Sequence, residues 1–358
     1  MRRKAGLGHL LVDDSCQLPY DGVVRRTEYQ GLRWELAPEF ESLLPEVLQQ
    51  PGESVKTSSA TIVTRHGVAN REFYVKRYLH ERRGLAPLSY FVRASKSRRE
   101  WNQAPQFQAR GIAVVPHLAH GERWGWYGLL ESVLITEGLV GYASLLTIRD
   151  ATNSEFQSAL GQFLRRMHDA GILYLDISAK NVLYSAVEHK FCLIDIDKVQ
   201  LCPTIDEQQR IAHLVTFRSR FALAPAFYDG YGSGFSRHAA GIDERAAAVR
   251  QACVARWSRI CLTHSHEVVR KRIGGLQWHI RRAYLDERLE RILQDPDRQI
   301  DNPNGLVVNR LAYRSGKKAY RKAYGSELMG ESAPRPVAAA DKRLLGVVVR
   351  GYFVTKSL

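Results

Sequence analysis

The sequence predicts an α+β chain: a small antiparallel sheet first, helices after it, and an additional helical, basic region at the end. Three observations carry that expectation. Strand-like segments fall before residue 140, apolar residues at helical spacing take over beyond residue 150, and cations gather after residue 301. The expected divisions are an N-terminal extension over 1–50, a sheet lobe over 51–138, a helical lobe over 139–240, a helical extension or completion of that lobe over 241–300, and a basic segment with a tail over 301–358.

In chain order, Ser54 to Val63 and then Arg65 to Asn70 read as strand, turn, strand. Arg71-Glu-Phe-Tyr-Val-Lys76-Arg-Tyr alternates like a half-buried strand, with Phe73 and Val75 on one side and Tyr74 and Lys76 on the other. Ser97-Arg-Arg-Glu100-Trp reads as helix. Pro105, five residues on, predicts that this helix kinks or ends early. Leu129 to Leu139 is an apolar strand interrupted near its end by Gly138. Phe156, Leu160, Phe163, Leu164 and Met167 share one helical face, and Gly171 supplies the stop. Phe191 to Ile194 is a short buried strand that ends on Asp195.

Beyond residue 240 the pattern predicts mostly helix over 242–292, with Leu276, Ile280, Tyr284, Leu285, Leu289 and Ile292 along one face and Gly274-Gly275 as a break. Asp295-Pro-Asp and Asn302-Pro-Asn-Gly mark a linker. No acidic residue falls between Asp301 and Glu327, and Arg310, Arg314, Lys317, Lys318 and Arg321 fit one helical face, with Tyr313 and Tyr320 interleaved. Such a face suits anionic headgroups; a solvated basic face or a nucleic-acid contact fits the same pattern. Ser332-Ala-Pro-Arg-Pro-Val-Ala-Ala-Ala reads as a flexible linker before a short apolar end, Leu344 to Val354.

The chemistry concentrates in Tyr174-Leu-Asp176-Ile-Ser-Ala-Lys180-Asn181-Val-Leu, followed by Cys192-Leu-Ile-Asp195-Ile-Asp197. A hydroxyl attacking the γ-phosphate of ATP needs one carboxylate to orient it and take its proton, and oxygen ligands to hold Mg²⁺ across the phosphates. Asp176 fits the first need, and Asn181 and Asp195 fit the second. Asp and Asn are also ordinary turn residues, so the motif draws its force from company. Lys76 is the candidate clamp for the α- and β-phosphates, and Glu100 the carboxylate that holds Lys76 extended. Their plain alternatives are an edge-strand lysine and a helix charge balanced by Arg98 and Arg99. Ser58 and Ser59, with Ala60, are small enough for backbone N–H groups to approach phosphate, although no G-x-G-x-x-G is present and Gly6-Leu-Gly8 is too short to substitute. Backbone at Glu137 and Leu139 is the candidate adenine edge.

This ordered set resembles the lipopolysaccharide core sugar kinases, the Kdo/heptose kinase family. The matching residues are Lys76, Glu100, Ile135-Thr-Glu137, His168-Asp-Ala-Gly171, Asp176 to Asn181, and Leu193-Ile-Asp-Ile-Asp-Lys198. Arg98-Arg-Glu-Trp101 leading into Ala109-Arg-Gly-Ile112, and Arg210 to Arg218, are similar as well. The likeness spans residues 54 to 235. It implies a protein-kinase-like bilobal fold, and transfer of phosphate from ATP to a sugar hydroxyl of the inner core attached to lipid A. Departures accompany it: Tyr174-Leu175 stands where kinases carry His-Arg, and Ile196-Asp197 where they carry Phe-Gly. Lys180 sits where some kinases place a cation beside the transferring phosphoryl group. Asn181 with Asp197-Lys198 favours the Kdo branch over the heptose branch.

Composition agrees with that implication. A formal net charge of +15 calls for an anionic partner, and a lipid A-core glycolipid at an anionic membrane surface supplies one. A nucleic-acid binder would share the charge but give no account of Asp176, Asn181 and Asp195 in this order. A catalytically silent kinase-like scaffold, or a kinase acting on protein or another small molecule, stays open. Five cysteines without C-x2-C spacing read as reduced thiols of a cytoplasmic protein, and the His264 and His266 pair as a solvated loop. Met1-Arg-Arg-Lys is followed by too brief an apolar stretch for a signal peptide. No run approaches the roughly 18 apolar residues of a membrane span, so any membrane contact is expected to be peripheral, and the family resemblance implies the cytoplasmic face of the inner membrane.

Overall fold

The computed structural model describes residues 24–57, 60–80, 86–148, 150–175, 177–232, 234–263, 265, 267–298, 305–328 and 334–356. The Gly6-Leu-Gly8 pair, His264, His266 and Asn302-Pro-Asn therefore lie outside the described residues. The chain forms two compact units, Met1–Arg210 with Ala224–Ser233, and Ile211–Leu223 with Gly234–Leu358.

The first unit opens with β1 (Arg25–Tyr29), β2 (Leu32–Leu36), α1 (Leu44–Gln49), β3 (Glu53–Thr57), β4 (Thr61–Val68), β5 (Arg71–Leu79), α2 (Lys96–Ala109), β6 (His117–Gly125) and β7 (Gly128–Glu137). The seven strands make one antiparallel sheet in the order β1-β2-β6-β7-β5-β4-β3. Residues 25–49, set apart by the sequence as an extension, thus belong to the sheet lobe: Leu32, Trp34, Leu36, Phe40, Leu44 and Val47 complete the core under Phe73, Val75, Val133 and Ile135. The alternation of β5 puts Phe73 and Val75 into that core and leaves Tyr74, Lys76 and Tyr78 on the opposite face.

Helix α2 packs against β6, β7 and the turn at residues 196–198. Ser95 caps it, its hydroxyl accepting from the Arg98 N–H at 3.1 Å. The helix continues through Pro105 to Ala109, contrary to the expectation of an early end. Pro105 lies on the same buried face as Ser97, Glu100, Trp101, Ala104 and Phe107, and burial of that face offsets the one backbone bond proline removes.

Next come β8 (Tyr142–Ser144), α3 (Ser154–Asp169), β9 (Ile172–Tyr174), β10 (Val182–Ser185), β11 (Lys190–Leu193), β12 (Val199–Leu201), α4 (Glu207–Arg218), whose residues from Ile211 on belong to the second unit, and α5 (Pro225–Tyr231). Helix α3 is capped by Asn153 Oδ1, which accepts from the N–H groups of Glu155 and Phe156, and it closes with Gly171 at φ 74°. The chain returns at once as β9, which pairs with β12, while β10 and β11 form a hairpin. These two short pairings bracket the segments 175–181 and 194–198.

The second unit differs from its sequence reading. Beyond α6 (Ala239–Ile260), residues 268–281 are a hairpin of β13 (Val268–Ile273) and β14 (Leu276–Arg281), turning at Gly274-Gly275 with both φ values positive. Two consecutive positive φ values make the tight turn whose twist matches paired strands. Then follow α7 (Glu287–Gln294), β15 (Leu306–Ala312), α8 (Gly316–Leu328), β16 (Arg335–Leu344) and β17 (Val347–Lys356). The five strands form an antiparallel sheet ordered β13-β14-β16-β17-β15. Arg310 is therefore on a strand and Arg314 in a turn, so only Lys317, Lys318 and Arg321 of the expected basic face are helical.

Residues 335–340 of the stretch read as a flexible linker lie on the middle strand of this sheet. Ala338 and Ala340 pack with Leu289 and Leu293 of α7, while Ala339 packs with Tyr320 and Tyr324 of α8. A strand covered on both faces lacks the polar alternation that marks a half-exposed one. Pro336 is accommodated at a register shift between Pro336 and Ala338.

Candidate active site

Sequence alternation and helix period together aim Lys76 and Glu100 at each other. Lys76 is 8% exposed and Glu100 1%. The Lys76 ammonium donates to Glu100 Oε2 at 3.4 Å and makes a close ion pair with the Asp195 carboxylate. The Tyr78 hydroxyl donates to Glu100 Oε1 at 3.1 Å, and His117 Nε2 lies 3.8 Å from Oε2. Burial works against both charges. For Glu100 the nearby Lys76, with His117 and Tyr78, outweighs it and holds the carboxyl down at about 2. For Lys76 the two carboxylates overcome burial and raise its pKa.

The alternative partners of Glu100 are otherwise engaged. Arg98 pairs with Glu35 at 2.7 Å and Glu122 at 3.4 Å, and Arg99 reaches the Asp197 backbone carbonyl and carboxylate at 3.3 and 3.5 Å. Helix α2 thereby holds the 195–198 turn through Arg99 while presenting Glu100 to the sheet.

Asp195 follows β11 in a left-handed conformation, φ 56° and ψ 46°. The Tyr174 hydroxyl stands at this bend, donating toward the carbonyls of Ile194 at 2.9 Å and Asp195 at 2.7 Å. Asn181 Nδ2 in turn donates to the Tyr174 oxygen at 2.9 Å, and the Ile194 N–H donates to the Asn181 carbonyl at 3.0 Å. Tyr174 thus ties the 181 and 195 segments together through its hydroxyl. With Nδ2 engaged, the Asn181 side chain keeps its Oδ1 acceptor available.

Lys76, Tyr78, Glu100, Asn181 and Asp195 line a cavity of about 750 Å³. Thr136, Glu137, Gly138 and Leu139 form one edge, and Lys180, Asn181, Asp195, Asp197 and Lys198 another. Glu137 and Gly138 use their N–H groups within the fold, donating to the carbonyls of Pro116 at 2.9 Å and Glu72 at 2.7 Å, and the Glu137 carboxylate pairs with Arg71 at 2.8 Å. Lys180 is exposed on a single 3-10 turn, Ala179–Asn181. Burial, with Glu100 nearby, raises the pKa of Asp197.

Of the sequence candidates, Lys76, Glu100, Glu137, Leu139, Lys180, Asn181 and Asp195 all border this one cavity. Asp176, Ser58 and Ser59 lie outside the described residues. Tyr78, His117 and the Tyr174 hydroxyl were not singled out as partners in the sequence. Tyr78 had a signal, two residues beyond Lys76 on the same strand face; His117 had none, because only the pairing of β6 with β7 brings it there.

An antiparallel sheet presenting a lysine to a helix carboxylate, followed by a helical part that brings an amide and a carboxylate to the same cavity, is a protein-kinase-like fold, and the class it defines is a phosphotransferase. The family follows from the chain itself. Residues 46–223 match the model of the lipopolysaccharide kinase (Kdo/WaaP) family, and this part of the chain belongs to that family. No curated protein matches the chain in sequence. Among solved structures, WaaP in complex with acyl carrier protein is similar at 17% identity and TM-score 0.44, over 63% of this chain and 98% of that one. The aminoglycoside-3'-phosphotransferase of type VIII is similar at 15% identity and TM-score 0.37, over 59% and 96%. Spectinomycin phosphotransferase APH(9)-Ia, in complex with ADP and spectinomycin, is similar at 12% identity and TM-score 0.35, over 58% and 87%.

Proposed function

We propose that this protein transfers the γ-phosphoryl group of Mg-ATP to a sugar hydroxyl of the lipid A-linked inner core, with Kdo as the favoured acceptor over heptose, while bound peripherally at the cytoplasmic face of the inner membrane. The observation that carries this reading is Lys76, buried between Glu100 and Asp195 at the wall of a cavity large enough for a nucleotide.

The donor set fits a hard divalent cation: Asn181 Oδ1 is left available by the bond from Nδ2 to Tyr174, and Asp195 faces the cavity. Asn181 and Asp195 would hold Mg²⁺, which when bound offsets charge on the phosphate oxygens. Lys76, kept extended by Glu100, clamps the α- and β-phosphates, and backbone at Glu137 and Leu139 borders the adenine. Ser58 and Ser59 cover the phosphates. Asp176, five residues before Asn181 in the chain, orients the acceptor hydroxyl and accepts its proton, while Lys180 offsets charge on the transferring group. Asn181 with Asp197-Lys198 supports the Kdo branch. Among the described residues no helix is long and apolar enough to cross a membrane, which accords with peripheral binding.

The test is Mg-dependent turnover of ATP with purified core glycolipid, followed by mass spectrometry of the product. One added phosphate on Kdo is the expected result. Phosphate on heptose would move the assignment to the other branch, and absence of any transfer to the glycolipid would leave a kinase-like scaffold or a kinase acting on protein or another small molecule.

A further inference from the structure

The second unit carries a surface that the proposed transfer chemistry leaves unused. Strands β16 and β17 extend past their neighbours: β14 pairs with β16 only at Ala338 and Ala339, and β15 pairs with β17 no further than Arg350. The remaining ribbon turns at Leu345-Gly346, with Leu344 opposite Val347. Leu345 is 97% exposed, Leu344 65% and Val347 64%.

The composition of this tip opposes folding on two counts. Leu345 has φ 49° and Gly346 φ 82°, a two-residue turn with both central residues left-handed, where Asn or Asp is favoured before Gly and leucine is strained. Behind the tip, Lys342 lies directly across from Arg350, a like-charge pairing that strands disfavour. Neither local backbone preference nor solvation accounts for a leucine at the apex. Sequence choices that break local rules at an exposed position mark function.

We propose that this hairpin tip docks the protein on an anionic lipid bilayer. The apolar residues lie at the apex and the cations Lys342 and Arg343 just behind it, the order in which a leaflet presents hydrocarbon and anionic headgroups. Arg314, just after β15, adds to this charge; neither it nor Lys342 makes an ion pair among the described residues, and Arg343, 58% exposed, donates to the Gly346 carbonyl at 3.1 Å and lies 3.9 Å from Asp341. A narrow convex tip offers little of the area that a stable protein interface buries, whereas a bilayer needs no matching shape.

The full-length chain is tested by co-sedimentation with vesicles of phosphatidylethanolamine containing phosphatidylglycerol, and with vesicles of phosphatidylcholine alone. Binding to the anionic vesicles is expected to weaken about tenfold in Leu345→Asn, while its melting temperature stays the same or rises, because Asn-Gly is the favoured turn pair. Lys342→Glu with Arg343→Glu is expected to reduce binding about fivefold per removed cation and to flatten its salt dependence. Native-like vesicle binding by Leu345→Asn overturns the proposal, as does absence of binding by the native chain. A fall in melting temperature for Leu345→Asn would make Leu345 a packing residue. Self-association or capture of a protein partner that depends on Leu345, without vesicle binding, would assign the tip to a protein interface instead. The readouts are lipid binding and stability, so they stand apart from whichever acceptor the cavity takes.

Discussion

Lys76 and Lys342 carry the same charge in opposite settings. Lys76 sits within a sheet between two carboxylates, and its neighbours Glu100, Tyr78 and His117 are committed to one another in a buried cluster. Lys342 stands exposed near the end of a ribbon, with no ion pair among the described residues. The difference teaches how one strongly basic chain uses its charge in two ways. Where charges are buried they must be paired, and the pairing fixes geometry for chemistry; where they are exposed they add little to folding and remain available to an external anion.

The comparison can be broken at several points. The largest effect is expected from Asp176→Ala, which should cut phosphoryl transfer by about 10²–10⁴-fold while nucleotide affinity, read by calorimetry, is largely kept. Full transfer by that variant would remove the base from the mechanism. Lys76→Met is next: it strands Glu100 as a buried unpaired charge and should lower unfolding free energy by about 3–5 kcal/mol, with nucleotide binding lost. Lys342→Met should change stability by less than about 0.5 kcal/mol in the same urea titration. Equal costs for the two lysines would erase the distinction.

Tyr174→Phe deletes the hydroxyl bonded to the Ile194 and Asp195 carbonyls and to Asn181, with an expected stability loss of about 1–3 kcal/mol. Turnover should fall more than nucleotide affinity, since the Lys76 and Glu100 pair is untouched. A variant with native turnover would show that the tether is dispensable. The gentlest probe is acid. The folded pKa of Glu100, about 2, lies below its ordinary value of 4.5. Its stabilising contribution is thus complete above about pH 4.5 and disappears as pH falls toward 2. Glu122, also held at about 2 against burial by His120, Arg98 and Ser95, adds to the same decline. Glu100→Gln should therefore show a shallower loss of stability across that window than the native chain; a parallel curve would mean that Glu100 does not contribute.

Much of the cleft was legible because its parts announce themselves locally. Alternation put Lys76 opposite Phe73 and Val75, and the apolar period from Phe156 to Met167 with Gly171 defined a helix ending just before the loop. Glu100 was legible only by spacing, and the worry raised by Pro105 dissolved once α2 was seen to bury that whole face. The role of the Tyr174 hydroxyl was beyond reach, since it bonds residues twenty and twenty-one positions away.

The second unit was misread for the opposite reason. Leu276 and Ile280 satisfy helical spacing but belong to a strand after a Gly-Gly turn, and the alanine run of β16 resembles a linker until α7 and α8 are seen to cover its two faces. Residue type and spacing, by themselves, determined the order of Lys76, Glu100, Asn181 and Asp195 along the chain and the net charge. Tertiary structure alone decided which charges are buried together and that the alanine run 338–340 lies on the middle strand of a sheet. The physical reason is range: caps, turns and alternation act over a few residues, whereas a strand ladder and a buried ion pair need partners that only the folded chain brings near.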